Sequence, residues 1–315
     1  MLTRREYLKL SAAAGVALAI NPRLLLAQDA PQALITRTIP GTSEQLPVVG
    51  LGSSASFARI AGEGELDRVR AVLEALLQHG GRVFDTAPGY GVAEEVAGGV
   101  VREAGLGERL FWATKLNVAG RGGDAADPAA ARAQLEQSFA RIGKSPIDLV
   151  QVHNMGDVPT QLGILEEQRD AGRIRYLGAT TTSESQYDAL EALMKTGRLD
   201  FIGVDYAVDN RTMEERIFPL ARERGIGVLV YQPFGRTRLW QKVEGHALPD
   251  WAADYDIATW GQFFLKFAVS HPAVTAATPS TSQARNMIDN MGAARGRLPD
   301  EAGRRRMVAH VEALG

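Results

Sequence analysis

Four proton-handling side chains stand at or just past the ends of three strand-like runs. Val83-Phe84-Asp85-Thr86 delivers a carboxylate, and Tyr90 follows in the turn Ala87-Pro88-Gly89-Tyr90-Gly91. Phe111-Trp112-Ala113-Thr114-Lys115 delivers an amine, and Leu149-Val150-Gln151-Val152-His153 an imidazole. A lone phenol, with a pKa of about 10, is a poor acid at neutral pH. An ammonium beside it favours the phenolate. A carboxylate keeps that ammonium charged and placed, and an imidazole orients a carbonyl. Such a group can protonate a developing alkoxide while hydride arrives from elsewhere. Taken singly, each residue has an ordinary reading. Asp85 and Lys115 can be a structural pair, Tyr90 a surface residue and His153 a satisfied buried histidine. Their arrival at successive strand tips points to one catalytic mouth.

The elements that must position them alternate regularly. Strand candidates cover residues 48–53, 83–86, 111–117, 149–153, 176–180, 201–206, 228–232 and 274–278. Helix candidates begin near Glu65, Val92, Asp127, Thr160, Glu184, Thr212, Thr259 and Ser282. Helix stops are marked by Gly or Pro, as at Gly143, Gly172, Gly197 and Gly225. Short, continuously apolar strands between helices predict an α/β fold, a (β/α)8 TIM barrel rather than an open sheet. Residues 34–38 and 45–49 flank Gly41-Thr42-Ser43 and read as an N-terminal β-hairpin. A C-terminal helix is expected over 300–314. The longest gap, 234–258, carries Trp240, Trp251 and Tyr255, which either wall the site or pack. Residues 1–30 read as a signal and linker segment, and 31–315 as a single barrel domain.

Composition narrows the function. The 315 residues are 45% hydrophobic and 23% charged, enough for a full core. A formal net charge of −2 argues against a nucleic-acid partner. The chain has no cysteine, so disulfides, thiolate catalysis and Cys-ligated metals are excluded, and an oxidising compartment suits it. No paired histidines or carboxylate cluster suggests a metal site. Thr3-Arg4-Arg5-Glu6-Tyr7-Leu8-Lys9 precedes an apolar, Ala-rich run over 10–20. This resembles a twin-arginine export signal and implies the export machinery as a partner and a periplasmic or otherwise exported location. The apolar run is shorter than the roughly 20 residues of a membrane span. Ala27 is the candidate cleavage position, but Leu25 stands where a small residue is preferred, which leaves an uncleaved form open; uncleaved, the segment would be the only membrane contact.

The chain between residues 34 and 296 resembles the aldo-keto reductases. The resemblance rests on Phe84-Asp85-Thr86-Ala87 with Tyr90-Gly91 and Glu94, on Thr114-Lys115, on Ser138 to Gly143 leading into Asp148-Leu149, on Gln151-Val152-His153, on Gly172-Arg173-Ile174-Arg175-Tyr176-Leu177-Gly178, and on the segment 279–290. It implies a barrel that reduces aldehydes or ketones with NADPH, or runs the reverse oxidation, with Asp85, Tyr90, Lys115 and His153 as the catalytic tetrad and Tyr90 as general acid. NADP is the implied cofactor, with NAD as the other candidate.

The implied cofactor contacts depart from the family pattern. Thr180-Thr181 replace Ser-Asn, and Gly203 replaces the Gln that holds the nicotinamide amide. Tyr231 matches the aromatic that stacks on the ring, and Gln232 stands next to it where Ser is common. Ser280 and Asn286 stand where the family places two basic residues for the 2′-phosphate, with Thr281 after the first and Arg285 beside the second. Asn290 matches the adenine contact, and Asp289 precedes it. Gly203→Gln is therefore expected to tighten nucleotide binding. Two other functions compete with a reductase. One is a carbonyl- or sugar-binding barrel whose nucleotide site has decayed. The other is a cofactor-independent isomerase or lyase using the Tyr–Lys pair.

Overall fold

Strands that are apolar on both faces, each followed by a one-sided helix, bury all their surface when the sheet closes on itself. The computed structural model of the chain, which describes residues 32–120 and 125–314, has this architecture. Its elements run β1 Thr36–Thr38, β2 Gln45–Pro47, β3 Leu51–Gly52, α1 Ser56–Gly62, α2 Leu66–Gln78, β4 Val83–Asp85, α3 Ala93–Glu103, β5 Phe111–Leu116 and α4 Pro128–Ile142. Then follow β6 Ile147–Val152, α5 Val158–Asp170, β7 Ile174–Thr181, α6 Tyr187–Met194, β8 Phe201–Asp205, α7 Ile217–Arg224 and β9 Gly227–Tyr231. The chain ends with α8 Arg238–Lys242, α9 Trp260–Ser270, β10 Ala276–Ala277, α10 Ala284–Gly292 and α11 Glu301–Glu312.

Strands β3 to β10 pair in sequence order, every pair parallel. The seam between β10 and β3 closes through Gly50 N–H to Ala277 O at 2.9 Å and Gly52 N–H to Pro279 O at 3.0 Å. Glycine is required there. A Cβ on Gly52 would meet Thr278 O at 2.5 Å, and one on Gly50 would meet Val83 O at 2.6 Å. The hairpin β1–β2 is antiparallel and places Ile39 and Leu46 in one apolar cluster with Val83, Phe111, Leu149, Phe201 and Leu229 of the barrel. At the N-terminal ends of the strands, Asp148 accepts from Trp112 N at 2.8 Å, Lys144 Nζ at 2.7 Å and Arg175 Nη1 at 2.7 Å. Arg175 also bonds Glu44 of the hairpin.

The (β/α)8 reading thus agrees with the structure, including the hairpin and the last helix. The 234–258 segment contains α8 and a 3-10 turn, Asp250–Tyr255. Trp251 and Tyr255 are packing residues. The Trp251 ring lies 5.9 Å from Phe263 and 4.3 Å from the Arg306 guanidinium. The Tyr255 carbonyl accepts from buried Lys266 at 2.7 Å. Residues from Leu34 onward form one compact unit. Residues 1–31, which carry the expected signal, lie outside the described residues. Among the described residues, no helix is long and apolar enough to cross a membrane.

Candidate active site

Asp85 is the last residue of β4 and Lys115 the fifth of β5, so both reach the C-terminal mouth of the barrel. Lys115 Nζ donates to Asp85 Oδ1 at 2.7 Å and to Thr86 O at 2.8 Å, with both side chains almost wholly buried. The turn after β4 is fixed by Tyr90 N–H to Ala87 O at 3.0 Å, and left-handed Gly91 follows. It sets the Tyr90 ring 5.2 Å from Lys115 Nζ. The His153 ring, just past β6, meets the Tyr90 ring edge-on at 6.0 Å. Behind them, buried Glu94 of α3 accepts from Thr114 Oγ1 of β5 at 2.6 Å and from Ser138 Oγ of α4 at 3.0 Å. Glu94 thereby ties the helix after Tyr90 to the strand that carries Lys115.

Burial pushes the Asp85 carboxyl up, and the Lys115 ammonium and the donors Tyr231 and Gln151 oppose that rise. Burial by itself would lower Lys115. The Asp85 charge and Tyr90 beside it more than offset this, so Lys115 is raised and stays cationic. A second phenol joins the group. Tyr231 donates to Asp85 Oδ2 at 3.0 Å and accepts from Gln151 Nε2 at 3.0 Å. Burial, then the Asp85 charge, push its pKa well above the ordinary phenol value, so it remains a neutral donor. A phenol held between a fixed ammonium and an imidazole can give a proton to an oxygen bound between them.

A model of the aldo/keto reductase family matches residues 49–305. The chain belongs to the aldo/keto reductase family. It is 30% identical over 218 residues to the NADH-specific methylglyoxal reductase of Escherichia coli (strain K12), covering 61% of this chain and 65% of that one. It is 28% identical over 214 residues to the aldo-keto reductase YhdN of Bacillus subtilis (strain 168), covering 65% and 64%. These matches span just under two thirds of the relatives' lengths. The fold is similar to an aldo/keto reductase from Klebsiella pneumoniae solved with NADP and acetate, with a TM-score of 0.72, 25% identity, and coverage of 90% of this chain and 95% of that one. The holo form of aldo-keto reductase AKR11C1 from Bacillus halodurans shares the fold at a TM-score of 0.68 and 21% identity, over 89% and 96%.

Five residues at this aldo/keto reductase's expected nucleotide positions, Thr180, Thr181, Ser280, Thr281 and Asp289, have other side-chain bonds in the protein. Thr180 Oγ1 accepts from Asn154 N at 3.1 Å, which leaves its proton to donate. Thr181 Oγ1 donates to Gln186 Oε1 at 2.6 Å, and Gln186 Nε2 donates to Asn154 O at 2.8 Å. The threonine pair thus anchors the loop that follows His153. Gln232 takes a left-handed φ of 54° and turns the chain away from β9. Ser280 bonds Ser54 O and stands 3.1 Å from Ser56 Oγ, joining the last loop to the first. Thr281 Oγ1 accepts from Gln283 N at 3.2 Å just before α10. Asp289 accepts from Thr259 Oγ1 at 2.8 Å and Gln262 Nε2 at 2.9 Å, at the start of α9. Asn290 is buried. Arg285 lines a cleft of about 480 Å³ with Arg68, Ala71, Ser282, Gln283 and Ala284.

One expectation is overturned. A Cβ on Gly203 would fall 2.4 Å from Tyr231 Cε2 and 2.5 Å from its hydroxyl. The Tyr231 ring already occupies the space that Gln would need, so Gly203→Gln would displace that ring instead of completing an amide cradle. Two residues escaped the sequence reading as site residues. Gln151 had a legible signal, because it lies two residues before His153 and side chains two apart on a strand face the same way. Arg68, on α2 and far along the chain from Arg285, had none. Among the described residues, no group of three or more His, Asp or Glu is arranged to hold a metal.

Proposed function

We propose that this aldo/keto reductase is an exported NAD(P)H-dependent reductase of small aldehydes or ketones, with Tyr90 as general acid. The observation that carries the reading is Lys115, clamped by Asp85 and set against the Tyr90 ring, with His153 on that ring's edge. His153 would orient the carbonyl oxygen toward Tyr90. Tyr90 would protonate that oxygen as charge develops on it, and Lys115 would stabilise the phenolate left behind. Asp85 keeps Lys115 charged and placed. The nucleotide, when bound, supplies the hydride.

The chain has donors that fit such a nucleotide. Arg285 and Arg68, the latter already paired with Glu65, share a cleft at the start of α10, a donor set suited to a phosphate. Arg285 has no ion-pair partner among the described residues. Three buried polar atoms, Ser53 Oγ, Thr86 Oγ1 and Gln151 Oε1, have no partner in the protein; Ser53 and Thr86 lie just past β3 and β4, and Gln151 is on β6. Ser280 is bonded to Ser54 and Asn286 carries no charge, so the preference for NADPH over NADH rests on the two arginines. The test is nucleotide oxidation by the purified protein with methylglyoxal, the substrate in the Escherichia coli relative's name, and with other small aldehydes. Binding of NADPH and NADH is followed by fluorescence quenching. Nucleotide binding and turnover are expected; binding of neither nucleotide would favour the decayed binding barrel, and turnover without nucleotide the isomerase.

Export rests on Arg4-Arg5 and the apolar run after them. Outside the cytoplasm no free NADPH pool recharges the enzyme, so it would carry its nucleotide out tightly bound or have a substrate couple recycle it in place. Replacing Arg4 and Arg5 by Lys should retain the protein in the cytoplasm with its fold intact. Undiminished accumulation outside the cytoplasm would refute the assignment.

A further inference from the structure

Tyr231, expected as a stacking surface for a nicotinamide, also reaches down into the tetrad. Its hydroxyl donates to Asp85 Oδ2 at 3.0 Å, while Asp85 Oδ1 takes the Lys115 ammonium at 2.7 Å. Its ring lies 5.2 Å from Lys115 Nζ, as the Tyr90 ring does. Gln151 Nε2 steers the hydroxyl by donating to it at 3.0 Å. The ring can lie there only because residue 203 has no side chain. Gly203 on β8, Gln151 on β6 and Tyr231 on β9 thus make one unit whose polar end touches a catalytic carboxylate.

We infer that Tyr231 is a positioning residue for proton transfer: it holds one Asp85 oxygen so that the other keeps Lys115 against Tyr90. The inference rests on the reductase reading of this mouth. A buried carboxylate needs both oxygens satisfied. A neutral phenol meets that need without adding a charge that would compete for Lys115. Losing a bond that favours the charged form makes a carboxylate easier to protonate. The titratable groups facing Tyr231 are Asp85 from β4, Lys115 from β5 and Tyr90 from the turn after β4. His153 faces Tyr90. Asp205, the register neighbour on β8, is bonded instead by Tyr187 and Asn210.

The experiment is Tyr231→Phe, which keeps the ring and removes the hydroxyl. Quenching by NADPH should change by less than about twofold, because the stacking surface is retained. The acid limb of the kcat/KM profile should move up by about one pH unit, the scale of one bond to a charged acceptor. Asp85 protonation is read separately, as the carboxyl infrared band that Asp85→Asn removes, titrated without substrate or nucleotide. That band should titrate about one pH unit higher in Tyr231→Phe.

Gly203→Ala should move the band in the same direction by pushing the ring off Asp85, and it carries the test if Tyr231→Phe does not fold. Combining the two should shift the band no further than the larger single shift, since both act through one bond. A band that titrates unchanged in the folded variants overturns the inference. If the parent protein turns over no carbonyl, the reductase reading has failed. The infrared titration still decides whether Tyr231 holds Asp85.

Discussion

At the N-terminal end of the barrel, buried Asp148 is met by a backbone amide, a lysine and an arginine, and the arginine reaches on to the hairpin. At the C-terminal mouth, Ser53 Oγ, Thr86 Oγ1 and Gln151 Oε1 are buried without partners. The backbone differs in the same sense. Turns at the bottom close on left-handed glycines, such as Gly143 and Gly225. The loops at the mouth put Ala55, Asn154, Met155, Asp157 and Gln232 at positive φ. A non-glycine residue in that region costs about 1–2 kcal/mol. The Asp148 carboxylate is fully bonded where the barrel needs only to hold, while polar atoms and backbone are left open or strained where it would bind.

That contrast is broken most severely from below. Asp148→Ala would leave Lys144 and Arg175 without a common acceptor and orphan the Trp112 amide. Its loss should cost about 3 kcal/mol of stability by urea unfolding, near the lower end for a broken buried pair because Arg175 is partly exposed and keeps Glu44. kcat at a temperature where the variant is folded should be near that of the parent. A large kinetic defect would mean that the two ends are not separable. The converse belongs to the mouth. Tyr90→Phe should lower carbonyl turnover by about 10²-fold or more, the scale of a lost general acid, with unfolding and nucleotide affinity little changed. Persistent turnover would remove Tyr90 from its role.

The sequence carried the first half of this contrast better than the second. Strand order and the meeting of Asp85, Tyr90, Lys115 and His153 at one end were legible because each depends on a short-range pattern. Continuous apolar runs mark buried strands, and a polar residue at the end of each run must face the mouth. The bottom glycines were legible as helix stops. What escaped depends on side chains packed across strands. Gly203 read as a missing hydrogen bond, when its role is to admit the ring of Tyr231 from the next strand. Thr180 and Thr181 read as amide donors, while their visible partners are the backbone and Gln186 around the His153 loop. Arg68 pairs with Arg285 across one cleft only because α2 packs on α10. Trp251 and Tyr255 fit wall or packing equally by sequence, because only the packing of the 250–255 turn on α9 and α11 distinguishes the two.

A pH measurement sharpens the comparison without touching the tetrad. His271 follows α9 and lies 4.7 Å, ring to ring, from Phe218. Its Nδ1 accepts from Ala273 N at 3.2 Å, so the ring is held neutral. Burial and then Arg304 bring its pKa down to about 4. The unfolded chain takes up that proton first, at the ordinary histidine value, so stability is complete above that value and falls as pH drops toward about 4. His271→Asn should flatten the acid side of the thermal-unfolding curve against pH and leave the pH profile of turnover unmoved. A shifted turnover profile would tie this ring to the mouth.

The smallest effects test whether backbone strain at the mouth serves function. Gly225→Ala places a Cβ on a left-handed residue whose nearest neighbour, Pro40 Cβ, would be 3.8 Å away. There is room, so the cost is conformational, about 1 kcal/mol. Gln232→Gly does the reverse at the mouth. It relieves the strain of φ 54° but gives the unfolded chain more freedom. The two terms nearly cancel, leaving a gain of at most about 0.5 kcal/mol. If Gln232 is kept only for the turn, the glycine variant should match the parent in nucleotide affinity. If it helps to hold the nucleotide, affinity should fall while thermal stability stays level or rises, and the strain at this end of the barrel would be serving binding. A fall in both would show that Gln232 packs in the folded protein, and the contrast between the two ends would not extend to this loop.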